Sequence, residues 1–478
     1  MSSPIFDTRV QDLKYRVLKE VAKAMFNDTL LEEYDDIPRR IVPGPKPTMR
    51  CCIYKERAIV SKRVKLAIGG DKNNPNIVEV IKIACEECPM GGYEVTNRCR
   101  GCIAHRCEKA CKKNAIRFDE RTHAAFINKD QCVNCGMCAK ACQYNAIQNY
   151  QRPCEQACSV KAISMDEFNF AFINEEKCIQ CGHCVSQCPF GAIMDKSYIT
   201  HVIKLLKASE NNTKYPVYAV IAPSIATQFE SRGSVGQIVS ALKELGFAKV
   251  IEAALGADMV ALNETKELIE KGFLTSSCCP AFVNFVKKKY PQLIDHVSHS
   301  LSPMATISQW VKQREPEAHI VFIGPCIAKK GEIMQDNVKN IVDYVLTFEE
   351  LQALIDAKEI DVGSLKESEL DEASYFGRIF GRCGGLAEAV KEGIKELNAT
   401  EFTLKPFSAD GVDNCKLALN KAIRDNREFN FLEGMACIGG CIGGPACLNH
   451  ELKDRAMMEK YAKESNKESI EEAIEELN

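Results

Sequence analysis

The spacing of the cysteines constrains the fold of this chain more than any other feature. Of the 26 cysteines in 478 residues, 16 lie between Cys85 and Cys188. Two segments there are near copies, AFINKDQCVNCGMCAKACQYNAI from Ala125 and AFINEEKCIQCGHCVSQCPFGAI from Ala171. Each carries the pattern C-x2-C-x2-C-x3-C. The repetition predicts two similar units, over residues 123–152 and 169–198, each built around its own cysteines.

This spacing is typical of bacterial ferredoxins, in which it binds 4Fe–4S clusters. Three thiolates in a tight loop reach three irons of a cubane, and the fourth iron is held from a distant segment. Zinc sites also use C-x2-C pairs, but two pairs suffice for zinc and leave the third cysteine unexplained. A secreted disulfide scaffold would be smaller and would carry an export signal. The predicted ligands in the two repeats are Cys132, Cys135, Cys138 and Cys142, and Cys178, Cys181, Cys184 and Cys188.

Further fragments use the same cysteine spacing. One complete motif is formed by Cys99, Cys102, Cys107 and Cys111, and half-motifs are formed by Cys154 with Cys158 and by Cys85 with Cys88. Sixteen thiolates suffice for four clusters, although the fourth requires Cys85 and Cys88 to meet Cys154, which is distant in sequence. The motifs therefore predict three or four clusters and an electron-transfer role. Crossover between motifs suggests four groups: Cys99, Cys102, Cys107 and Cys142; Cys132, Cys135, Cys138 and Cys111; Cys178, Cys181, Cys184 and Cys158; and Cys85, Cys88, Cys154 and Cys188.

Composition and charge narrow the class of protein. The net charge is −3 and no apolar run approaches the roughly 20 residues that span a bilayer, so we expect neither nucleic-acid nor membrane partners. The N-terminal segment lacks the apolar core of a secretory signal, which favours a cytoplasmic protein. We expect a helical and linker region at 1–84, with a proline-rich linker near 37–47. A ferredoxin-like region at 85–198, an α/β domain at 210–452 and a charged, solvated helix at 453–478 complete the predicted organisation.

From Tyr215 onward, short apolar runs alternate with amphipathic segments. Strands alternating with helices predict an α/β domain with a largely parallel sheet, in which chemistry gathers at the strand ends. A helix is predicted in the segment from Gly233 to Gly246, and the predicted strands are 216–223, 249–255, 319–325 and 341–347.

Three loops in this part contain cysteines. They read TSSCCPAF from Thr275, GPCIAKKGE from Gly324 and EGMACIGGCIGGPACL from Glu433. The glycines of the third loop would let a bulky ligand approach the backbone. A phosphate-binding loop is disfavoured there, because the lysine and hydroxyl residue that end a Walker motif are missing.

Together, the three loops resemble the signature segments of the FeFe (iron-only) hydrogenases over residues 215–452, preceded by a polyferredoxin module. The resemblance implies an iron-only hydrogenase fold of two lobes with parallel sheets. It also implies an H-cluster, a cubane bridged to a two-iron unit that bears carbon monoxide, cyanide and an azadithiolate and is installed by maturases. The implied cubane ligands are Cys279, Cys326, Cys437 and Cys441, with Cys441 bridging to the two-iron unit.

The same resemblance implies roles for other residues. Cys278 would pass protons to the bridging amine, supplied by a relay that runs outward through Glu264, Ser298 and Glu267. A thiol is mostly protonated at neutral pH, which suits a proton donor. Glu264 and Glu267 lie three positions apart and share one face of a helix. Lys329 would hydrogen-bond one cyanide and Met435 would pack near the bridging region, whereas Ala222, Pro223 and Ser224 would contact the other cyanide.

Four positions depart from the common family pattern and suggest the divergent group B subtype: Phe282, Met304, Gly324 and Pro445. The remaining cysteines have no implied role, and we expect them to be buried structural thiols. These are Cys51, Cys52, Cys383, Cys415 and Cys447.

The implied function is that of a ferredoxin hydrogenase, which reduces protons to H2 reversibly with electrons from a ferredoxin-like carrier. Two alternatives belong to other classes. Cytosolic iron–sulfur assembly factors share the fold without catalysis, but would not be expected to keep Cys278 and its carboxylates. Hydrogen sensors usually carry an attached signalling domain, which this sequence does not show.

Overall fold

The computed structural model of the chain describes residues 5–89, 91–370, 372–399, 401–424 and 427–475. Four helices form its N-terminal part: α1 (Arg9–Phe26), α2 (Leu30–Glu33), α3 (Ile37–Ile41) and α4 (Ile53–Ala67). Helix α1 begins where the Thr8 side chain accepts a hydrogen bond from the Gln11 backbone N–H. The predicted proline-rich linker is partly helical, because α3 forms within it. Pro38 is tolerated there because the N–H groups of a first helical turn have no partner within the helix.

The cysteine-rich part, called here the cluster region (residues 78–195), consists of very short elements. Each of its helices contains one cysteine: α5 (Lys82–Cys85), α6 (Arg106–Lys109), α7 (Met137–Ala141), α8 (Pro153–Gln156) and α9 (His183–Ser186). Its strands are β1 (Val78–Val80), β2 (Gly92–Val95), β3 (Ile116–Phe118), β4 (Ala125–Ile127), β5 (Ile147–Tyr150), β6 (Ile163–Met165), β7 (Ala171–Ile173) and β8 (Ile193–Asp195). They pair antiparallel as β1–β8, β2–β5, β3–β4 and β6–β7. The predicted ferredoxin-like α+β region is confirmed.

The two repeats require a glycine at one equivalent position. Gly136 and Gly182 precede α7 and α9 with φ of 74° and 84°, a left-handed conformation that favours glycine. A Cβ on Gly136 would lie 2.3 Å from the Tyr93 hydroxyl, and one on Gly182 would lie 2.7 Å from Cδ1 of Ile327. Each glycine therefore turns the chain between the second and third cysteines of its motif while neighbouring groups pack closely.

Helix α10 (Ile199–Ala208) leads into the α/β part, which contains two parallel sheets. The strands are β9 (Val217–Ile221), β10 (Lys249–Glu252), β11 (Leu274–Thr275), β12 (His319–Gly324), β13 (Tyr344–Thr347), β14 (Pro406–Asp410) and β15 (Phe431–Met435). The first sheet has the order β10–β9–β12–β13 and the second β11–β15–β14, all parallel. The predicted α/β fold with parallel sheets is confirmed.

Helices connect and cover these strands. They are α11 (Val235–Leu245), α12 (Ala253–Lys271), α13 (Pro280–Lys289), α14 (Pro303–Arg314), α15 (Ala328–Glu332), α16 (Phe348–Ala357), α17 (Tyr375–Arg378), α18 (Gly385–Glu396) and α19 (Val412–Ala422). Short 3-10 turns lie at Pro223–Thr227, Pro291–His296, Val362–Ser364, Ile379–Gly381 and Cys441–Gly443. The helix predicted in the segment from Gly233 to Gly246 is confirmed and spans Val235–Leu245. The strand predicted at 249–255 ends at Glu252, because the alanine-rich segment that follows favours a helix.

The C-terminal tail contains two helices, α20 (Asp454–Lys463) and α21 (Ile470–Glu475). The prediction of one solvated helix is wrong, because Met458, Tyr461, Ile470 and Ala473 are buried. Helix α21 packs against α12 and α18, so the tail covers the α/β part. No helix within the described ranges is long and apolar enough to cross a bilayer.

A buried ion-pair network joins three parts of the chain. Asp195, at the end of β8, contacts Lys14 of α1 and Lys330 of α15, and the Lys330 ammonium lies 2.8 Å from its carboxylate. Lys330 also lies 2.9 Å from Glu350, and Lys14 contacts Glu349, both on α16. Burial opposes charge on these lysines, but the neighbouring carboxylates outweigh it and raise the pKa of both. The network therefore holds the cluster region, α1 and the α/β part in a fixed arrangement.

Replacing Lys14 with methionine tests this network. Lys14→Met leaves buried carboxylates without one partner and should lower the free energy of unfolding by about 3–5 kcal/mol. The control is Lys23→Met, which removes an exposed ion pair between the same helix and Glu359 and should cost less than about 1 kcal/mol. Anaerobic denaturant unfolding measures both, and equal losses would show that the buried network does not hold the parts together.

Candidate active site and cluster-binding cysteines

The three cysteine loops meet between the two parallel sheets. Each follows a strand: TSSCC continues from β11, GPC from β12 and ACIGGC from β15. Parallel strands end at the same edge of a sheet, so the loops converge. They enclose an apolar cavity of about 100 Å³, lined by Cys278, Cys279, Cys326, Cys437 and Cys441 among others.

The thiols in this cavity lie close together. Burial, followed by the neighbouring thiols of Cys326, Cys279 and Cys441, raises the pKa of Cys437 well above its usual value. Four crowded thiols are poorly solvated as thiolates unless a metal centre takes up their charge. The chemistry of this donor set therefore fits an iron–sulfur cubane.

Small residues make room beside these thiols. A Cβ on Gly444 would lie 2.6 Å from the Pro325 carbonyl oxygen, and one on Gly440 would lie 2.9 Å from Sδ of Met435. Alanines and prolines from both sheets form most of the remaining wall. The cavity thus has space beyond the four thiols, enclosed by apolar groups.

Lys329 is the only charged side chain among the described residues that line the cavity. Its ammonium lies 2.6 Å from Glu332 and 3.5 Å from the Cys278 carbonyl oxygen. Burial alone would lower the pKa of Lys329, but the Glu332 carboxylate outweighs burial and raises it. A charged donor therefore faces an otherwise apolar space.

The structure places the other predicted contact residues as follows. Met435, Ala222 and Pro223 line the cavity, and Met304 lies in its wall. Ser224 is buried next to Pro223 outside the lining, and its hydroxyl has no hydrogen-bond partner among the described residues.

Glu264 lies behind Cys278 on helix α12. Its carboxylate Oε1 accepts hydrogen bonds from the backbone N–H (3.0 Å) and the hydroxyl (3.1 Å) of Ser277, and Oε2 has no such partner among the described residues. Burial raises the pKa of Glu264 to about 7, against the effect of these hydrogen bonds. Burial, and then the Glu264 charge, also raises the pKa of Cys278. The thiol and the carboxyl group are therefore electrostatic neighbours.

Ser298 and Glu267 continue the line toward the surface. The Ser298 hydroxyl donates to Glu267 Oε2 (3.1 Å) and is close enough to Glu264 to affect its pKa. Burial would raise the pKa of Glu267, but Lys271 and the His299 backbone N–H outweigh burial and lower it. The structure thus brings together Cys278, Glu264, Ser298 and Glu267 in the order that the resemblance implies.

Sequence reasoning missed Ser277, which directly precedes Cys278. Its hydroxyl hydrogen-bonds to Glu264 and to the Ser300 carbonyl oxygen (2.7 Å), so it fixes the carboxylate next to the thiol. The sequence signal that could have identified Ser277 is its position directly before the cysteine pair in TSSCC. Glu433 was also missed; it is buried and its charge contributes to the raised pKa of Cys278.

The cysteines of the cluster region form groups across motifs. Burial, and then the Cys142 and Cys102 thiols, raises the pKa of Cys107. The second motif receives a cysteine from the first in the same way. Burial, and then the thiols of Cys132 and Cys111, raises the pKa of Cys138. These neighbours match the crossover grouping suggested by the sequence.

A third group lies next to the active-site cavity. The thiol of Cys158 interacts with those of Cys178, Cys181 and Cys184. Cys181 also interacts with Cys279 in the cavity wall. This group is called the proximal quartet.

The distant Cys85 and Cys88 join a fourth group. Burial, and then the Cys188 thiol, the Glu155 carboxylate and the thiols of Cys85 and Cys88, raises the pKa of Cys154 to about 12. The antiparallel pairing of β1 with β8 brings these segments together, because α5 follows β1 and Cys188 precedes β8. This group is called the buried quartet, and its Cys154 also interacts with Cys184 of the proximal quartet.

The remaining cysteines divide into two kinds. Cys415 and Cys447 are buried, as expected, and donate to backbone carbonyl oxygens. Cys383 is half-buried. The expectation of burial is wrong for Cys51 and Cys52, which are exposed because they lie in the loop that ends at the N-terminus of α4.

Comparison with protein-family models identifies the α/β part. Residues 215–445 match the iron only hydrogenase large subunit, C-terminal domain. The α/β part is therefore similar to the iron-only hydrogenases over 231 of the 478 residues. Residues 98–146 match a 4Fe–4S dicluster domain, and residues 148–199 match the LdpA Fe–S cluster-binding domain. The predicted resemblance to an iron-only hydrogenase preceded by ferredoxin-type modules is confirmed; the group B subtype stays a prediction.

Curated relatives of this iron-only hydrogenase domain fall into two classes. The chain is 29% identical to iron hydrogenase 1 of Clostridium pasteurianum, over 68% of this chain and 65% of that protein. It is 29% identical to the NADP-reducing hydrogenase subunit HndD of Solidesulfovibrio fructosivorans, over 48% and 49%. It thus spans about two thirds and one half of these hydrogenases. It is also 29% identical to the cytosolic Fe–S cluster assembly factor NAR1 of Meyerozyma guilliermondii, over 32% and 34%.

A solved structure shares the fold of the iron-only hydrogenase domain. The [FeFe]-hydrogenase HydA(deltaEFG), from a structure that describes stepwise H-cluster assembly, is similar with a TM-score of 0.50 and 20% identity. The match covers 59% of this chain and 93% of that one.

The raised pKa of Glu264 predicts a pH-dependent stability. A carboxyl group with a folded pKa of about 7 stabilises the fold fully below its ordinary pKa of 4.5, and this contribution is lost as the pH rises through 7. Glu264→Gln stays neutral, so its stability relative to the parent should increase by about 3 kcal/mol between about pH 5 and about pH 8.5. Anaerobic denaturant unfolding of cluster-loaded protein measures this difference.

The matched control is Glu267→Gln on the same helix. The pKa of Glu267 is lowered, so its contribution is fully present above its ordinary pKa and should not vary over that pH range. If the stability difference between Glu264→Gln and the parent also stayed constant from about pH 5 to about pH 8.5, it would contradict the burial of an ionisable carboxyl group behind Cys278.

Proposed function

We propose that the protein is an FeFe hydrogenase that interconverts protons and H2, with electrons from a ferredoxin-like carrier. The observation that carries this proposal is the position of Cys278. This thiol lines a cavity with four other cysteines, and a buried carboxyl group lies behind it. An H-cluster bound to Cys279, Cys326, Cys437 and Cys441 would supply the redox chemistry of H2.

The chain's own residues provide a proton route. Glu267 lies near the surface, where Lys271 and His299 hold it, and its partner Ser298 also interacts with Glu264. A carboxyl group with a pKa of about 7 accepts and releases protons readily at neutral pH. We propose that protons pass from Glu267 through Ser298 and Glu264 to Cys278.

The apolar wall has a complementary role. Alanine, proline and phenylalanine side chains line the space next to the thiols and offer protons no polar path, which favours a route through the side chains described above. Lys329 offers a hydrogen-bond donor to an anionic ligand in that space. We propose that this donor fixes a cyanide of the two-iron unit.

A second candidate function is iron–sulfur assembly. The similarity to assembly factors of the NAR1 type favours it, since those relatives match the same chain. The complete set of Cys278, Glu264, Ser298 and Glu267 favours catalysis, because a scaffold has no use for a proton route into an apolar cavity. A hydrogen sensor would use the same cavity. It would differ from an enzyme in its negligible rate of H2 turnover.

Hydrogen evolution tests the proposed function. Protein co-expressed anaerobically with the maturases and supplied with reduced viologen should produce H2, measured by gas chromatography. Cys278→Ala should lower the rate at least about 100-fold, as expected for loss of a positioned proton donor. Infrared absorption by carbon monoxide and cyanide ligands shows whether the two-iron unit is present in each sample.

The matched control is Cys415→Ala, which removes a buried thiol outside the cavity lining and should retain most of the rate. Full iron content without infrared bands or H2 would favour an assembly factor. Bands with negligible turnover would favour a sensor. H2 production unaffected by Cys278→Ala would contradict the proton route.

The charge of the cluster region indicates where electrons enter. Residues 91–147 carry ten Lys and Arg against five Asp and Glu, in a chain with a net charge of −3. Within this segment Cys102 and Cys135 are exposed, and Ile103, which follows Cys102, is almost fully exposed. We propose that an acidic carrier protein docks here, because opposite charge speeds encounter and brings its redox centre near these cysteines.

Charge reversal tests this docking surface. The double variant Lys112→Glu/Lys113→Glu should raise the KM for an acidic ferredoxin roughly tenfold at low ionic strength, and less at high salt. Its rate with reduced viologen should match the parent. The control Lys460→Glu/Lys463→Glu makes the same charge change on α20 of the C-terminal tail and should leave the KM unchanged. Equal effects of the two double variants would contradict a local docking site.

A further inference from the structure

Two buried arginines flank the buried quartet of Cys85, Cys88, Cys154 and Cys188. Arg152 is 2% exposed, and its Nη1 lies 3.6 Å from Sγ of Cys85. Its Nε and Nη2 donate to the carbonyl oxygens of Pro89 (3.1 Å) and Cys88 (3.2 Å). The guanidinium is therefore held against the segment that carries two of the four cysteines.

Arg63 approaches the quartet from helix α4. It is 1% exposed, and its Nη2 donates to the Gly191 carbonyl oxygen (2.6 Å), just after Cys188. Its charge interacts with the Cys188 thiol. Gly191 has a φ of 55°, and a Cβ there would meet the guanidinium, so this position allows the close approach.

The hydrogen-bond partners of both guanidinium groups are backbone carbonyl oxygens and sulfur atoms. Nε of Arg63 has no hydrogen-bond partner among the described residues. A buried cation without a counter-charge strongly destabilises a fold. A 4Fe–4S cubane held by four thiolates carries a net negative charge, so such a cluster would balance the two arginines.

The other cysteine groups have different surroundings. The difference lies in the nearby cations, because sulfur atoms of the buried quartet and of the other groups alike accept hydrogen bonds from backbone N–H groups, as at Cys85, Cys188, Cys99, Cys142, Cys158 and Cys178. Lys288 interacts with Cys178 in the proximal quartet, but this lysine is exposed, and solvent screens its charge. Among the accessory cysteine groups of the described residues, buried cations thus adjoin the buried quartet, whereas the buried Lys329 lies at the active-site cavity.

We propose that the buried quartet holds a 4Fe–4S cluster whose reduction potential Arg63 and Arg152 raise above those of the other accessory clusters. One-electron reduction adds negative charge to the cluster, and nearby buried cations favour that charge. Both arginines are positioning residues that act through the cysteines of this quartet and not at the H2 site: Arg152 contacts Cys85, and Arg63 interacts electrostatically with Cys188.

The position of the buried quartet suggests a role for its raised reduction potential. This role rests on the hydrogenase function proposed above. Cys154 interacts with Cys184 of the proximal quartet, and Cys181 of that quartet interacts with Cys279. Conversion of two protons to H2 consumes two electrons, whereas iron–sulfur clusters pass them one at a time. A cluster that is easily reduced and adjoins the proximal quartet retains one electron until the second arrives.

A redox titration followed by electron paramagnetic resonance tests this inference on the cluster-loaded full chain. The signal altered by the ligand variant Cys154→Ser identifies the cluster of the buried quartet. In Arg152→Gln and Arg63→Gln, the ratio of reduced to oxidised cluster at a fixed potential should fall at least about tenfold for that signal only. Arg152→Lys keeps the charge and should restore most of the ratio.

The matched control is Arg57→Gln. Arg57 lies on the same helix as Arg63 and also donates to backbone carbonyl oxygens, those of Val42 and Pro43. It should leave every signal unchanged. Loss of the cluster in Arg152→Gln, with retention in Arg152→Lys, would also support charge balance.

Three results would overturn the inference: unchanged potentials in both glutamine variants, zinc in place of iron at this quartet, or only three accessory clusters in the parent. Hydrogen evolution from viologen, measured in parallel, separates these failures from a failure of the proposed function. A parent that makes no H2 would reject the hydrogenase while leaving the measured potentials valid.

Discussion

The arrangement of the whole chain depends on the buried carboxylate of Asp195. It ends the strand that pairs with β1, and this pairing brings Cys85 and Cys88 to Cys188. It also contacts Lys330, one residue beyond the cavity residue Lys329, and Lys14 of the N-terminal helix. One charge therefore fixes the cluster region relative to the cysteine loops. Buried ion pairs add little net stability but penalise any arrangement in which a partner is missing, so the network selects a single relative position.

Burial also determines the pKa values of the cysteine thiols. Crowded thiols in apolar surroundings have raised pKa values, as at Cys437 and Cys154, because neither water nor cations stabilise their thiolates enough. Glu264 has a raised pKa for the same reason, although hydrogen bonds from Ser277 oppose it. An apolar, crowded environment is thus unfavourable for charge in the absence of metal, and this cost is what cluster binding would relieve.

Much of the fold could be predicted from local pattern. Cysteine spacing identified the ferredoxin-type motifs, and alternating apolar runs identified the parallel sheets, because both signals lie within one segment. The position of Glu264 behind Cys278 could be predicted only from the family resemblance, since two glutamates on a helix usually face solvent.

Ser277 was missed because its hydrogen bond to Glu264 joins two different elements of the fold. Arg63 and Arg152 were missed for a similar reason: their contacts join segments that are 128 residues apart for Arg63 and 64 to 67 residues apart for Arg152. The burial of the charged tail depended on its partners α12 and α18, which its own composition does not reveal.

The packing of helix α1 has a consequence for biosynthesis. Its apolar face, including Val17 and Val21, is buried mainly against α16, which begins at Phe348. A ribosome makes the chain from its N-terminus, so α1 emerges more than 300 residues before its partner. The cluster region between them is complete well before that partner exists. The nascent chain must therefore keep an apolar helix shielded while its cysteines are already available to iron, and α1 can dock only after the α/β part has been made.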